Sequence, residues 1–380
     1  MIESCTVEKS SYYWEKKPVI NYKKPGIDRP FNAIDLFCGA GGIGCGINMT
    51  KKFNILLAND IYIPAIDTYK YNHPNTITIL GDIKKILDKE FINILENKSI
   101  DFVSAGVPCQ GFSLANKKRN KDDERNFLFL EVVRFVNLFN PKIVMIENVS
   151  GMKSLNNGSF VEDIEKSLKQ AGKIGYKVKY KILNAADYGV PQLRQRLVFI
   201  AVRNDIKFEF NFPKPIYGID KKPYNTVYDA ISDLPELNNN EEKTKYDREP
   251  LTDYQKFLRG NETILTNHKA PKHPKETIER IQNTKPGHPM YEKYKQRIRL
   301  AWDILSPTQV AGGIRPQFQF GHPAQPRGLS IRERARIQSF PDNYKFLGGI
   351  VQSRVQTGNA VPPLLAKAVA GEVIKILEKL

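Results

Sequence analysis

The chain has 380 residues, of which 41% are hydrophobic and 10% aromatic, which fits a globular protein of one large or two ordinary domains and argues against a disordered one. Its 58 Lys and Arg residues outnumber 41 Asp and Glu, and the net charge of +17 favours a polyanionic partner such as nucleic acid. The four cysteines show no CxxC spacing and no apolar run approaches the width of a bilayer, so we expect no zinc site, disulfide framework or membrane anchor, and a cytoplasmic protein.

A glycine-rich turn follows the first apolar segment, residues 33–37, and opens a helix. Three glycines have the spacing of a dinucleotide-binding loop: Gly39, Gly41 and Gly44. Asp60 follows the next apolar segment, 53–58, where a carboxylate can hold ribose hydroxyls. Glycines let a backbone approach any nucleoside closely, so the pattern fits S-adenosylmethionine as well as NAD.

Two more predicted strands end in polar or reactive residues. The apolar segment 77–80 precedes Asp82, which can accept a hydrogen bond from an adenine amino group or simply cap a turn. The segment 101–103 leads into a Gly/Pro turn that contains Cys109. Open α/β sheets present their ligand crevice at such strand ends, although a lone cysteine is more often a small buried hydrophobe.

The following elements continue this rhythm. Apolar residues at helical spacing predict a helix over 127–139, and the buried segment 143–146 delivers Glu147 at its end. Three polar residues alternate before the strand 197–202 and share one face if the chain is extended there: Gln192, Arg194 and Arg196. Strands that alternate with helices and carry functional groups at their ends predict an α/β fold with a doubly wound sheet.

Together these segments resemble the cytosine-5 DNA methyltransferases of the bacterial restriction–modification type. The stretches that carry the resemblance, in the order of that family, are 35–42, 108–110, 147–149, 192–196, 332–341 and 358–363. It covers residues 32–212 and 328–380, and the stretch between them occupies the place of the variable target-recognition region. The resemblance implies a Rossmann-like S-adenosylmethionine-dependent methyltransferase sheet with a second, smaller and irregular domain.

The domain boundaries expected on this basis combine composition with the resemblance. Residues 1–31 form an N-terminal arm, 32–203 the catalytic and cofactor-binding domain, 204–328 the target-recognition domain, 329–357 a hinge segment and 358–380 a C-terminal helix that returns to the catalytic domain. The recognition range is rich in proline and lysine and has weak periodicity. Four of the five histidines lie between 268 and 322 without nearby cysteines or clustered acids, so no metal is expected.

The resemblance implies three catalytic residues. Cys109 would add as a thiolate to carbon 6 of a cytosine flipped out of duplex DNA, which makes carbon 5 nucleophilic enough to take the methyl group. Glu147, with a raised pKa, would hold a proton at ring nitrogen 3. Arg196 would pair with the carbonyl oxygen of the cytosine.

Binding positions follow in the same way. Those implied for S-adenosylmethionine are Phe37, Gly39, Gly41, Asp60, Ile61, Asp82, Ile83, Pro108, Leu128 and Asn359. Family members often have an aromatic residue where this chain has Ile61, so less stacking on the adenine is expected. Those implied for DNA are Gln110, Ser113, Arg125, Gln192 and Arg194. Within 204–328, glutamine and arginine are the types that pair bidentately with adenine and guanine, and the candidates are Arg315, Gln317 and Gln319.

The function expected is therefore site-specific DNA cytosine-5 methylation by a monomer, with a cognate restriction endonuclease as its functional partner. A tRNA methyltransferase with the same core is disfavoured by the sizeable recognition region. A catalytically silent DNA-binding protein would have no reason to keep Cys109, Glu147 and Arg196. An NAD oxidoreductase would need an acid–base pair in a substrate domain, and none is evident.

Overall fold

The computed structural model of the chain describes residues 11–13, 17–22, 28–96, 98–108, 127–311 and 318–380, the side chains of 154–157 excepted. These residues divide into two compact units. The first, called the sheet unit below, contains Tyr12–Asn184, Gln195–Lys214 and Leu365–Leu380. The second, called the irregular unit, contains Ala185–Arg194 and Pro215–Leu364.

An eight-stranded mixed sheet forms the framework of the sheet unit. Its strands are β1 (Val19–Asn21), β2 (Phe31–Leu36), β3 (Phe53–Asp60), β4 (Ile77–Leu80), β5 (Phe102–Gly106), β6 (Ile143–Val149), β7 (Tyr176–Asn184) and β8 (Gln195–Arg203). They lie in the order β1-β4-β3-β2-β5-β6-β8-β7. Strands β2 to β6 pair in parallel, whereas β1 pairs antiparallel with β4, and β8 pairs antiparallel with both β6 and β7. The predicted α/β fold with a doubly wound sheet is confirmed.

Helices follow strands β2 to β6, as the predicted alternation of strands and helices requires. Those before the last two strands are α1 (Gly42–Met49), α2 (Ile63–Asn72), α3 (Asp88–Leu95), α4 (Phe129–Phe139) and α5 (Ser159–Gln170). The later ones are α6 (Val227–Ile231), α7 (Asp253–Arg259), α8 (Lys275–Asn283), α9 (Ile331–Ile337), α10 (Ile350–Asn359) and α11 (Pro363–Leu377). Within the described residues, no helix has both the length and the apolar character needed to cross a membrane.

The strands of the sheet unit are continuous apolar segments in the sequence because they lie in its core. Helices cover a parallel sheet on its faces, so strand residues that point either way are buried. Ile34, Val103 and Ile146 belong to one buried apolar cluster, which also takes in Phe135 of α4 and Ile164 of α5. This core holds the carboxyl ends of β2, β3 and β5 in fixed positions.

The irregular unit is built around charge as well as apolar side chains. Its apolar cluster includes Leu265, Leu300 and Phe320, but every residue of α9 is also buried, charged ones included. Arg336 of α9 binds the Asp342 carboxylate through two hydrogen bonds, of 2.9 and 2.6 Å, and also binds Asp233. Residues of the motif 332–341 therefore stabilise the interior of the irregular unit.

The limits of the two units differ from the ranges expected from composition. Residues 185–194 and 329–364 lie in the irregular unit, and part of the predicted N-terminal arm, β1, is an edge strand of the sheet. Composition marks where periodicity weakens, whereas unit membership depends on contacts between residues far apart in the chain, which composition does not reveal. The functional names given to those ranges stay predictions.

Candidate cofactor and catalytic site

The strand order places one crevice at the centre of the sheet. From β2 the chain proceeds outward through β3 and β4, and then returns to the other side of β2 with β5 and β6. Ligands of doubly wound sheets bind at the carboxyl ends of the strands where the order reverses in this way. The residues that follow β2 and β5 are the glycine turn and the stretch that leads to Cys109.

The turn after β2 has an unusual backbone. Phe37, Gly39 and Gly41 all have positive φ angles, of 50°, 52° and 86°, and Gly41 is the N-cap of α1. A positive φ costs conformational free energy for phenylalanine, so the surrounding fold must hold Phe37 in this conformation. Such strained residues are common at functional sites. Among the described residues, a Cβ built at Gly39 would meet nothing within 4 Å. The turn therefore leaves open space beside its backbone, the room that a nucleoside ligand needs.

Asp60 ties this turn to the end of β3. One of its carboxylate oxygens accepts the backbone N–H of Gly39 at 2.8 Å, and the other accepts that of Tyr62 at 2.8 Å. Burial raises the pKa of Asp60. A carboxylate has about four acceptor positions, so these two bonds leave capacity for hydroxyl groups of a ribose. Ile61, the next residue, is half-buried.

The end of β4 is anchored by a side chain that the sequence analysis did not single out. The Asn59 amide donates to the carbonyls of Ile79 and Gly81, at 3.0 and 3.1 Å. Asp82 follows, and its carboxylate accepts the backbone N–H of Lys84 at 3.0 Å, so it caps a short turn. A turn cap was the alternative noted for Asp82, and that role leaves its predicted contact with adenine untested.

Asp35 is a buried acidic residue that was not among the predicted site residues. It is fully buried in β2, where its carboxylate accepts hydrogen bonds from Ser104 at 2.8 Å and Tyr69 at 3.2 Å. Burial raises the pKa of Asp35 to about 7. A Cβ on Gly44 would come within 2.6 Å of the Tyr69 hydroxyl and 3.0 Å of Asp35, so only glycine fits above this network. The available signal was an acid inside an otherwise apolar strand.

Glu147 and Arg196 form a buried ion pair at the end of β6. The Arg196 Nε lies 2.7 Å from the Glu147 Oε1, and each side chain is only 10% exposed. The antiparallel register of β6 and β8, which pairs Val149 with Arg196, brings the two side chains together. Burial lowers the pKa of Arg196, and the Glu147 charge opposes that shift. The structure therefore joins two of the three predicted catalytic residues.

The end of β5 lies beside this pair. Gly106 is in register with Glu147, and a Cβ built on Gly106 would lie 3.8 Å from the Glu147 Oε2. Asn148 donates to the carbonyl of Val107 at 3.2 Å and so holds the start of the turn. Pro108, half-buried, is the last described residue before the gap.

Several predicted site residues lie outside the described residues: Cys109, Gln110, Ser113, Arg125, Arg315 and Gln317. Their roles stay predictions. Two predicted cofactor contacts, Leu128 and Asn359, belong to different units. Leu128 is half-buried at the start of α4 and packs against the sheet core, whereas Asn359 is exposed at the end of α10.

Arg194 and Gln192 require a correction. Arg194 is 1% exposed, and its two terminal nitrogens donate to the carbonyls of Gln309 and Gly358, each at 2.8 Å. Gln192 is fully buried, and its amide oxygen accepts the N–H of Gln309 at 3.0 Å. The prediction was that Gln192, Arg194 and Arg196 share one face of an extended stretch, and all three are buried. The partners of Gln192 and Arg194 on that face are groups of the irregular unit. Both side chains organise the irregular unit.

Gln319 needs the same correction. It is 7% exposed, its amide oxygen accepts the N–H of Val310 at 2.9 Å, and its amide nitrogen donates to the carbonyl of Thr308 at 3.0 Å. The amide oxygen and nitrogen each keep one hydrogen-bonding position, but turning this side chain towards an adenine edge would break its two internal bonds. Residue type suggested a base contact, whereas burial assigns Gln319 an internal one.

The chain is similar to known proteins over most of its length. The family model for C-5 cytosine-specific DNA methylases matches residues 31–375. The chain is 37% identical over 355 residues to the Type II methyltransferase M1.HphI of Haemophilus parahaemolyticus, an alignment that covers 90% of this chain and 86% of that one. It is also 37% identical over 371 residues to the Type II methyltransferase M.DdeI of Desulfomicrobium norvegicum, with 90% and 88% covered.

Among solved structures, the chain is similar to a DNA modification methyltransferase encoded within a prophage of E. coli. The TM-score is 0.77 and the identity 25%, with 92% of this chain and 99% of that one covered. The similarity extends over the irregular unit as well as the sheet unit.

Proposed function

This chain belongs to the C-5 cytosine-specific DNA methylase family, and we propose that it methylates cytosine within one specific sequence of double-stranded DNA, with S-adenosylmethionine as the methyl donor. Family membership makes it a DNA cytosine-5 methyltransferase. The observation that carries the proposal is the buried pair of Glu147 and Arg196 in register with the end of β5.

The turn after β2 supports the choice of donor. Open space beside Gly39, the Asp60 carboxylate and the half-buried ring of Phe37 fit the methionine, ribose and adenine parts of S-adenosylmethionine respectively. When bound, this cofactor supplies an electrophilic methyl group on a sulfonium. Asp82 and Ile83 would contact its adenine, and the remaining predicted positions would complete the pocket.

The chain's own residues would make the cytosine reactive. The thiolate of Cys109 would add to ring carbon 6, which moves electron density to carbon 5. Glu147 would hold a proton at nitrogen 3, where negative charge develops. Arg196 would orient Glu147 and donate to the ring carbonyl. After carbon 5 gains the methyl group it would lose its proton to a base, and the thiolate would leave.

The relatives suggest the biological setting. Two of them are named Type II methyltransferases, and we propose by analogy that this enzyme protects DNA against a cognate restriction endonuclease. The sheet unit of one chain contains both Glu147 and Arg196, which supports a monomer as the active form. A cytoplasmic location follows from DNA as substrate. The +17 charge suits a protein that binds phosphates without reading sequence.

A trapping experiment tests the proposal. Duplex DNA that contains 5-fluorocytosine cannot lose a proton from carbon 5, so the enzyme with S-adenosylmethionine should become covalently attached to it, with the attachment mapped to Cys109. The Cys109→Ser variant is the matched control and should bind the duplex without attachment. Labelled methyl transfer to tRNA but not to duplex DNA, or attachment at another residue, would refute the proposal.

A further inference from the structure

One buried arginine of the irregular unit differs from its neighbours. Arg327 donates to both oxygens of Glu333, and Arg332 donates to several backbone carbonyls. Arg297 is also fully buried, yet its Nε, Nη1 and Nη2 have no hydrogen-bond partner among the residues that the structure describes. Buried polar groups in native proteins are almost always hydrogen-bonded, so each exception needs an explanation.

Two tyrosine rings hold the Arg297 guanidinium. Its central carbon lies 4.5 Å from the ring centroid of Tyr294 and 5.5 Å from that of Tyr291. Such rings stabilise a cation, but their faces do not replace the oxygen or nitrogen acceptors that five N–H groups require. The rings therefore fix the plane of the guanidinium and leave its hydrogen-bonding capacity unused.

Arg297 lies at the base of a loop whose tip is exposed. Pro289 and Ile298 pair as an antiparallel bridge, and the N–H of Met290 donates to the Arg297 carbonyl at 2.8 Å. Residues 292–296, between them, are all exposed, including two lysines. The Tyr294 side chain is 39% exposed, so a rotation of that ring can uncover the guanidinium. Tyr291 packs against a small apolar cluster below and keeps the base of the loop in place.

We propose that Arg297 reads one guanine of the recognised sequence by donating two hydrogen bonds to its O6 and N7, after the Tyr294 ring moves aside. The proposal rests on the proposed function, since it takes DNA as the substrate. The planar guanidinium presents two parallel N–H donors, called the fork below. Held by aromatic rings, this fork matches the paired acceptors of guanine in the major groove. The exposed lysines of the loop suit the phosphates better than the recessed Arg297 does. A base contact by Gln319 would first have to break its internal bonds to Val310 and Thr308.

The test compares three full-length variants with the wild-type enzyme. Arg297→Lys keeps the charge but loses the fork, and Arg297→Gln loses both. Arg280→Ala is the matched control, because Arg280 also lies over the Tyr291 ring, at 4.7 Å, but is exposed. Bisulfite sequencing of DNA methylated by the wild-type enzyme first defines the site. Duplexes in which each base pair of that site is changed in turn then give kcat/KM for every protein.

We expect Arg297→Lys to lower kcat/KM on the correct site at least tenfold and to reduce discrimination at one guanine position at least tenfold, with other positions unchanged. Replacing that guanine with 7-deazaguanine, which lacks N7, should slow the wild-type enzyme but not the Arg297→Lys variant. Arg280→Ala should retain every sequence preference. Melting temperature and S-adenosylmethionine affinity, measured for each variant, show whether it is folded. If Arg297→Gln does not fold, the lysine variant and the 7-deazaguanine substrates still decide the question.

Two results would overturn the assignment. Unchanged discrimination at every position in a folded Arg297→Lys variant, together with full wild-type activity on the 7-deazaguanine substrates, would show that Arg297 reads no base. A uniform loss on all sequences, with a shallower dependence of binding on salt, would show that Arg297 contacts a phosphate instead. Failure of the wild-type enzyme to methylate any duplex would refute the proposed function itself, which is a different outcome.

Discussion

Replacement of Asp35 by asparagine is predicted to change how stability depends on pH. Burial raises the pKa of Asp35 from 3.8 to about 7, so between these values the folded chain holds a proton that the unfolded chain has lost. The stability contributed by this group is therefore fully present below pH 3.8 and is lost as the pH rises through 7. The loss amounts to about 1.4 kcal/mol per pH unit within that window. Asparagine does not ionise and contributes no such slope.

The magnitude follows from the two pKa values. From pH 5 to pH 8 the wild-type protein should lose about 3 kcal/mol that the Asp35→Asn variant keeps. Titrating groups that do not interact with Asp35 contribute equally to both proteins and cancel in the difference. Denaturant unfolding of both proteins at pH 5, 6, 7 and 8 measures it. A difference in the free energy of unfolding that does not vary with pH would show that the Asp35 carboxyl is ionised throughout, and the interpretation of its burial would be wrong.

Three further predictions concern the site and the irregular unit. Glu147→Gln should lower the rate of methyl transfer by about 100-fold or more with little change in S-adenosylmethionine affinity, measured by single-turnover kinetics and titration calorimetry; an unchanged rate would move proton transfer to another group. Arg194→Met should destabilise the protein by about 3 kcal/mol in denaturant unfolding, because two buried carbonyls lose their donors, and leave the salt dependence of DNA binding unchanged; a shallower salt dependence with normal stability would restore its predicted phosphate contact. Gly44→Ala should destabilise the sheet unit by about 1–3 kcal/mol and weaken cofactor binding, because its Cβ meets the Tyr69 hydroxyl at 2.6 Å; wild-type melting temperature and affinity would contradict this.

Local pattern was sufficient to predict the framework of the sheet unit. The apolar segment 53–58 became β3, 77–80 became β4, and the helical spacing over 127–139 became α4. These elements form where they were expected because each is an apolar run of the right period, ended by a turn residue. The glycine turn after β2 was also predictable from the sequence, since the positive φ angles at Gly39 and Gly41 require residues that tolerate them. Motif order then indicated the family, which the family model confirms.

What the amino-acid order determined by itself is therefore the sequence of strands and helices and the chemistry-bearing residues at their ends. Only the tertiary structure decided what covers each polar side chain. The alternating pattern placed Arg194 and Arg196 on one face. In the folded chain, Arg194 donates to two backbone carbonyls, whereas Arg196 pairs with Glu147. The physical reason is that burial and hydrogen-bond partners come from residues far away in the chain, such as Gly358 for Arg194, which no local pattern encodes.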